Sequence, residues 1–254
     1  GLIDLIQAKV KSTSARNAAA YAVLAVGIVL VPVKMLQANY FTHDRSNNWV
    51  PWDYSYNLLQ SCAPNSVLFT NGDNDTFPLW YLQDVEGVRR DVKIANLSLL
   101  NTEWYISQLK NNDPYNVGKI KMRLSDQQIM DLRPMQWAAR NITVPLPTPS
   151  STVSFSDIMQ QFGLRDTTYL KQGAITWTMN PTIANGQGIR VQDLMVKEIV
   201  EANNWERPIY FAVTCSEDSK IGLSDYLRME GMAFRLVPEK RRANDEFIEP
   251  NILK

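Results

Sequence analysis

Cysteine and histidine are nearly missing from this 254-residue chain, which has two cysteines, Cys62 and Cys215, and one histidine, His43. Two cysteines exclude a disulfide-stapled miniprotein and a four-cysteine zinc site, and leave room for one bridge. A Ser-His-Asp or Cys-His hydrolase would need that single imidazole, and no Gly-x-Ser-x-Gly elbow accompanies it. Excess charge of either sign is missing too, with 26 Lys and Arg against 26 Asp and Glu. There is therefore no global electrostatic case for nucleic acid, whose binding needs a basic face to displace counterions, and no nucleic-acid partner is expected. The cluster Lys240-Arg241-Arg242 reads as solvated surface. Signs of disorder are also lacking, because 45% apolar and 20% charged residues suit a folded protein with a sizeable core.

What the chain does have is a long apolar run. From Ala18 to Val33 there is no charged residue, and the run reaches Leu36 if Lys34 extends its charge toward headgroups. About 19 such residues cross a bilayer. Pro32 and Lys34 follow the run and a polar approach precedes it, unlike a cleaved signal peptide. Lys9, Lys11 and Arg16, with no acid among them, place the amino side in the cytoplasm. The reading is a cytoplasmic segment at 1–17, a transmembrane helix at 18–36, and an extracytoplasmic domain at 37–254 with an irregular excursion near 112–188. Leu2 to Ile6, with no Met, look like the end of an earlier apolar helix, so the chain reads as the carboxyl-terminal piece of a longer membrane protein.

Beyond Asn39, short β-rich runs alternate with helical ones. The expected class is α/β: the transmembrane helix followed by a layered, Rossmann-like soluble domain with a mainly parallel sheet. Tyr54 to Cys62 reads as helix, Val67 to Thr70 as a strand buried on both faces, and Thr76 to Val85 as helix capped by Asp75 or Thr76. Val92 to Leu97 reads as strand and Asn101 to Lys110 as helix. A right-handed crossover then makes the two strands parallel neighbours. Pro145, Pro147 and Pro149 mark Thr143 to Ser154 as an extended connector. Arg190 to Asn203 carries one apolar helical face, Ile209 to Thr214 is a strand, Leu223 to Glu230 a short helix ended by Gly231, and Ala233 to Val237 a last strand.

The junction Asn71-Gly72-Asp73-Asn74-Asp75-Thr76, between a strand and a helix, holds the densest polar cluster. Ligands of open α/β sheets collect at such strand ends. Asp73 and Asp75, with Asn71, offer oxygen ligands to a divalent cation or hydrogen bonds to sugar hydroxyls; the same residues also serve plain turns and caps. No other cofactor is expected. Trp80 and Tyr81, with Trp104 and Tyr105 on a neighbouring helix, present aromatic faces for a glycan or for the core. Arg207 is read as a partner for Asp73 or Asp75 across the sheet, or as a fork for phosphate or carboxylate. Cys62 precedes one strand and Cys215 follows another, so parallel neighbours would hold them apart.

His43-Asp44-Arg45-Ser46, Asn71 to Tyr81, Glu86 to Val92, Asn96 to Asn101, Arg207 to Ala212, Gly222 to Leu227 and Glu230 to Pro238 occur in an order that resembles the carboxyl-terminal region of a family of multi-pass bacterial membrane proteins. That family, long catalogued as a domain of unknown function, is similar to an animal transmembrane protein O-mannosyltransferase and is classed with GT-C glycosyltransferases. The resemblance implies a parent that moves sugar from a lipid-phosphate donor, with its catalytic acid in an early extracytoplasmic loop. It implies that this piece alone is inactive, and that it is an accessory, acceptor-side domain outside a bacterial inner membrane, in the periplasm. Expected partners are membrane lipid, the amino-terminal membrane part of the same protein, and a protein or glycan acceptor. His43 and Arg45, just past the run, would meet the lipid phosphate or fix the domain's angle. The alternatives are a cell-envelope binding or assembly module, and a metal-dependent hydrolase centred on Asp73 and Asp75.

Overall fold

The computed structural model describes residues 12–148, 154–164, 167–183, 186–242 and 248. The chain divides into two compact units, with the boundary between Trp49 and Val50. The first is built on one helix, α1 (Thr13–His43), with Pro32 inside it and no buried residue. Its 31 residues extend about 46 Å at 1.5 Å each, longer than the roughly 30 Å hydrocarbon core of a bilayer. It is long and apolar enough to cross a membrane. The helix outruns the predicted 18–36 because polar side chains bond back to its last carbonyls. Asn39 donates to Met35 O at 2.8 Å and Thr42 to Asn39 O at 2.9 Å. His43 is thus the last helical residue. Lys9, Lys11 and the Leu2 to Ile6 stretch lie outside the described residues.

The second unit is a mixed α/β structure. Its elements are α2 (Val50–Gln60), β1 (Val67–Thr70), α3 (Asp73–Asp84), β2 (Lys93–Asn96), α4 (Glu103–Asn111), α5 (Asp126–Met130), β3 (Met135–Gln136) and β4 (Arg140–Pro145). There follow α6 (Phe155–Phe162), β5 (Ala174–Met179), β6 (Gly188–Ile189), α7 (Val191–Asn203), β7 (Ile209–Ala212), β8 (Leu227–Glu230) and β9 (Ala233–Leu236). Five strands form one sheet in the order β2-β1-β7-β9-β8. β1 runs parallel to β2 and to β7, with Phe69 opposite Ala95 and Phe211. All of β1 and β7 is buried, as continuous apolar runs between two layers should be. Phe69 and Phe211 stack at 4.8 Å in the core.

Three expectations change here. The sheet is mixed rather than mainly parallel, because β9 joins β7 and β8 in antiparallel fashion. Leu227 to Glu230 is a strand, not the end of a helix; Gly231, at φ 60°, makes the reversal into β9. The proline-punctuated connector begins later than expected, since Arg140 to Pro145 pairs antiparallel with Ala174 to Met179. Ile142 and Val144 point inward there while their neighbours face solvent. The cysteines fall as the topology requires: Cys62 precedes β1, Cys215 follows β7, and both are buried free thiols.

Charges are buried under the antiparallel half of the sheet. Arg228 lies opposite Arg235, which lies opposite Tyr210, and Glu230 bonds to Arg228 at 2.6 Å and to the Tyr210 hydroxyl at 2.8 Å. Arg228 also donates to the carbonyls of Phe162 and Gly163, fastening the end of α6 to the sheet.

Candidate ligand-binding site

The carboxyl ends of β1 and β7 meet the first turn of α3. Gly72, at φ 156° and ψ −160°, occupies backbone space that essentially only glycine enters, and it turns the chain from strand into helix at once. Asp73 therefore opens α3 instead of preceding it. The cap residue is Gly72, without a side-chain cap bond, so neither Asp75 nor Thr76 has the capping role expected of it. Asp75 points inward. Its carboxylate accepts the Asn71 amide at 3.2 Å, the Tyr54 hydroxyl at 3.3 Å and the Thr214 hydroxyl, which ties α3 to α2, to the end of β1 and to the chain after β7. Below it, the Thr70 and Thr76 hydroxyls are 2.7 Å apart and the Asn96 amide donates to Thr76 at 2.7 Å. Asn71 and Asp73 are exposed. Among the described residues no group of three His, Cys, Asp or Glu side chains could hold a metal ion.

Burial decides the protonation of this region. It pushes the Tyr54 hydroxyl up to about 12, helped by the Asp75 charge, so Tyr54 remains a donor. Burial and the same carboxylate push the Cys215 thiol up to about 12, and burial does so for Cys62 and for the Tyr105 hydroxyl. Neither thiol is a nucleophile at neutral pH. Because unfolding returns these groups to about 8.5 for Cys and 10 for Tyr, the native chain holds more protons across that interval. Stability is complete below the unfolded values and falls as pH rises through the folded ones. Melting followed by circular dichroism should give a level midpoint from about pH 7 to 8.5 and a fall from about 9 to 12; a midpoint that stays level or rises there would contradict these environments.

A second polar and aromatic region lies on the outer side of α3. Phe77, Trp80, Tyr81 and Asp84 recur at i, i+3, i+4 and i+7, which places them on one face. Phe77 stacks on Trp80 at 5.6 Å, Trp80 lies 6.5 Å from Tyr105, and Trp104 meets Tyr105 edge-on at 5.6 Å. Trp80, Trp104 and Tyr105 line a cavity of about 850 Å³ between α3, α4 and the segment 112–115, beside the edge strand β2. Tyr105 closes that edge. Its hydroxyl accepts from Asn96 N at 3.0 Å and bonds the Ile94 carbonyl at 3.2 Å, the outward backbone groups of β2. Lys93 pairs with Asp113 at 2.9 Å and holds that carboxyl well below the usual range. Arg90 lies 5.0 Å over the Tyr115 ring and donates to the carbonyls of Gln83 and Asp84, while the Tyr115 hydroxyl donates to Asp84.

The residues singled out in the sequence thus separate. Tyr81 shares that face of α3 but does not line the cavity; it is half exposed, and Glu86 raises its hydroxyl pKa. Arg207 precedes β7, and in a parallel pair that is the end of the sheet opposite Asp73 and Asp75. It pairs with neither; its guanidinium donates to the carbonyls of Val117 and Gly118. His43 and Arg45 close α1, where His43 bonds Asn39 O at 3.0 Å and Arg45 donates to Thr42 O at 2.8 Å. Sequence reasoning missed Arg90, Lys93, Gln108, Asp113 and Tyr115. The segment Glu86 to Val92 was a usable signal, since consecutive arginines take separate tasks: Arg89 bonds the carbonyls that end α2, and Arg90 faces the cavity.

An exposed apolar helix and an α/β unit with bonded strand ends and a lateral aromatic cavity define a membrane-associated α/β domain. The chain belongs to the family described as TMEM260-associated domain 2, which matches residues 51–144 and 164–252. It is similar to Protein O-mannosyl-transferase TMEM260 of Mus musculus, 30% identical over 77 residues. That stretch is 30% of this chain and 11% of the mouse protein, so the match spans a small part of the relative's length. No solved structure matches the chain.

Proposed function

We propose that the chain is the carboxyl-terminal, acceptor-side domain of a GT-C membrane glycosyltransferase acting on protein, and that the catalytic acid belongs to another part of the parent. The observation that carries this reading is the family match across most of the second unit, together with the similarity to a protein O-mannosyl-transferase. The geometry supports an accessory role: Asp75 is engaged by three internal donors, and burial keeps both thiols protonated. α1 serves as the span, with Arg16 on the cytoplasmic side and the α/β unit in the periplasm of a bacterial inner membrane. His43 and Arg45, at the far end of α1, face headgroup phosphates, and the exposed Asp73 and Asn71 are available to an acceptor.

Removing residues 50–254 from the full-length parent tests the reading. Transfer to protein should fall at least about tenfold, a loss of about 1.4 kcal/mol in transition-state binding, while release of sugar from the lipid donor to water persists. Undiminished transfer would overturn it in favour of a cell-envelope binding module. Loss of both activities would also overturn it, because the domain would then belong to the catalytic machinery.

A further inference from the structure

We propose that the cavity between α3, α4 and the segment 112–115 binds a neutral carbohydrate, a short glycan that lies against Trp80 and Trp104. Charge comes first. The walls carry two cations, Arg90 and Lys93, and two carboxylates, Asp84 and Asp113, and all four are engaged inside the protein. Arg90 serves two carbonyls, Lys93 serves Asp113, and Asp84 accepts from Tyr115. Asp113 also accepts the Val117 and Gly118 amides. A phosphate or nucleotide would face two carboxylates against two cations, of which Lys93 is already ion-paired and Arg90 is committed to carbonyls, whereas a neutral ligand meets no such repulsion.

Shape and edge chemistry come next. Trp104 is 56% exposed at the rim and Trp80 is half-buried beside it. The Trp104 indole N–H and the side-chain amides of Gln108 and Asn112 bond to no described residue. Apolar ring faces beside unspent donors and acceptors match a sugar ring, which has an apolar C–H face and a rim of hydroxyls. An extended peptide is the main competitor for a groove at a sheet edge, but Tyr105 already takes the Asn96 N–H and the Ile94 C=O on the outer side of β2, so strand addition would have to displace a buried side chain. The volume of about 850 Å³ falls within the roughly 300–1,000 Å³ of small-molecule sites and suits more than one sugar ring.

The inference takes its setting from the acceptor-side reading but is read out by binding alone. Its failure would leave a role in transfer untouched, and a failed transfer experiment would leave the binding site standing. The 254-residue chain is held in a detergent without a sugar headgroup and titrated with mannobiose, cellobiose and lactose, each free and attached to a short neutral peptide. Tryptophan fluorescence and saturation-transfer NMR report binding. At least one disaccharide should bind saturably, and Trp104→Ala should weaken it about three- to tenfold while Trp104→Phe stays within about threefold. Gln108→Ala should weaken it without altering the fluorescence of the free chain. Both sites are exposed, so melting by circular dichroism should match the unsubstituted chain. Free and attached sugars binding alike would mark the glycan itself as ligand, and tighter binding of the attached form would mark a glycoprotein source; both support the proposal. It is overturned if no disaccharide binds, if Trp104→Ala changes nothing, if conjugates bind whatever their sugar, or if inorganic phosphate or ADP displaces the ligand.

Discussion

Glu230→Gln is expected to destabilise the α/β unit by about 3–5 kcal/mol, the usual cost of breaking a buried ion pair from one side. The cause lies in the register. Arg228 on β8 lies directly opposite Arg235 on β9, which lies opposite Tyr210 on β7. Like charges opposite each other across a sheet repel, and here they do so where water is nearly absent, with Arg228 at 1% exposure. Glu230, 2% exposed, is the neutralising group: its carboxylate takes Arg228 at 2.6 Å and the Tyr210 hydroxyl at 2.8 Å, and faces Arg235 at 3.6 Å. Gln keeps the shape, removes the charge and turns one of two accepting oxygens, both in use, into a donor, so the loss reports electrostatics together with a hydrogen bond. Arg228 also bonds the last carbonyls of α6, so a misplaced guanidinium should loosen that helix as well. Urea denaturation at neutral pH gives the number. A loss below about 1 kcal/mol would mean that the pair behaves as a solvated surface bridge and that water reaches it.

The same network explains which parts of the fold the sequence hides. Val67-Leu68-Phe69-Thr70 and Ile209-Tyr210-Phe211-Ala212 announce buried strands because their side chains obey the simplest partition, apolar against apolar on both faces. Leu227-Arg228-Met229-Glu230 does the reverse. Its charged residues are buried and Met229 is the more accessible one, so alternation read for solvent exposure assigns the wrong faces and hides the strand. With β8 unrecognised, the antiparallel half of the sheet is invisible too, and a mainly parallel sheet follows by default. The strand-to-helix junction at Asn71 was legible as a polar cluster, but not the inward turn of Asp75, which depends on Tyr54 and Thr214 from distant segments. The cavity was least legible of all. Its two cations, two carboxylates and four aromatic residues come from stretches between Trp80 and Tyr115 that no periodicity groups together; only the crossover from β1 to β2 and the return of α4 bring them together.

Asp75→Ala is expected to cost about 2–4 kcal/mol, while its neighbour Asp73→Asn should stay within about 0.5 kcal/mol. The two acids are two residues apart on the first turn of α3 and have opposite surroundings. Asp73 is exposed, and its charge contributes only what an acid gains at a helix amino end. Asp75 is 8% exposed and satisfies three donors, the Asn71 amide and the hydroxyls of Tyr54 and Thr214. An orphaned buried donor costs about 1–3 kcal/mol; Thr214, on the exposed side, can turn to water, which keeps the total below the full sum. A second measurement separates a lost hydrogen bond from general loosening. Tyr54 is held up to about 12 partly by the Asp75 charge, so in Asp75→Ala its alkaline titration, followed by ultraviolet difference absorption, should move to lower pH. Equal stability of the two variants with an unmoved Tyr54 would contradict the described bonds. The consequence reaches the outer face of the same helix, since Phe77 and Trp80 ride on the turn that Asp75 anchors. An unfastened first turn should therefore weaken the proposed sugar binding in the cavity, even though Asp75 does not line it.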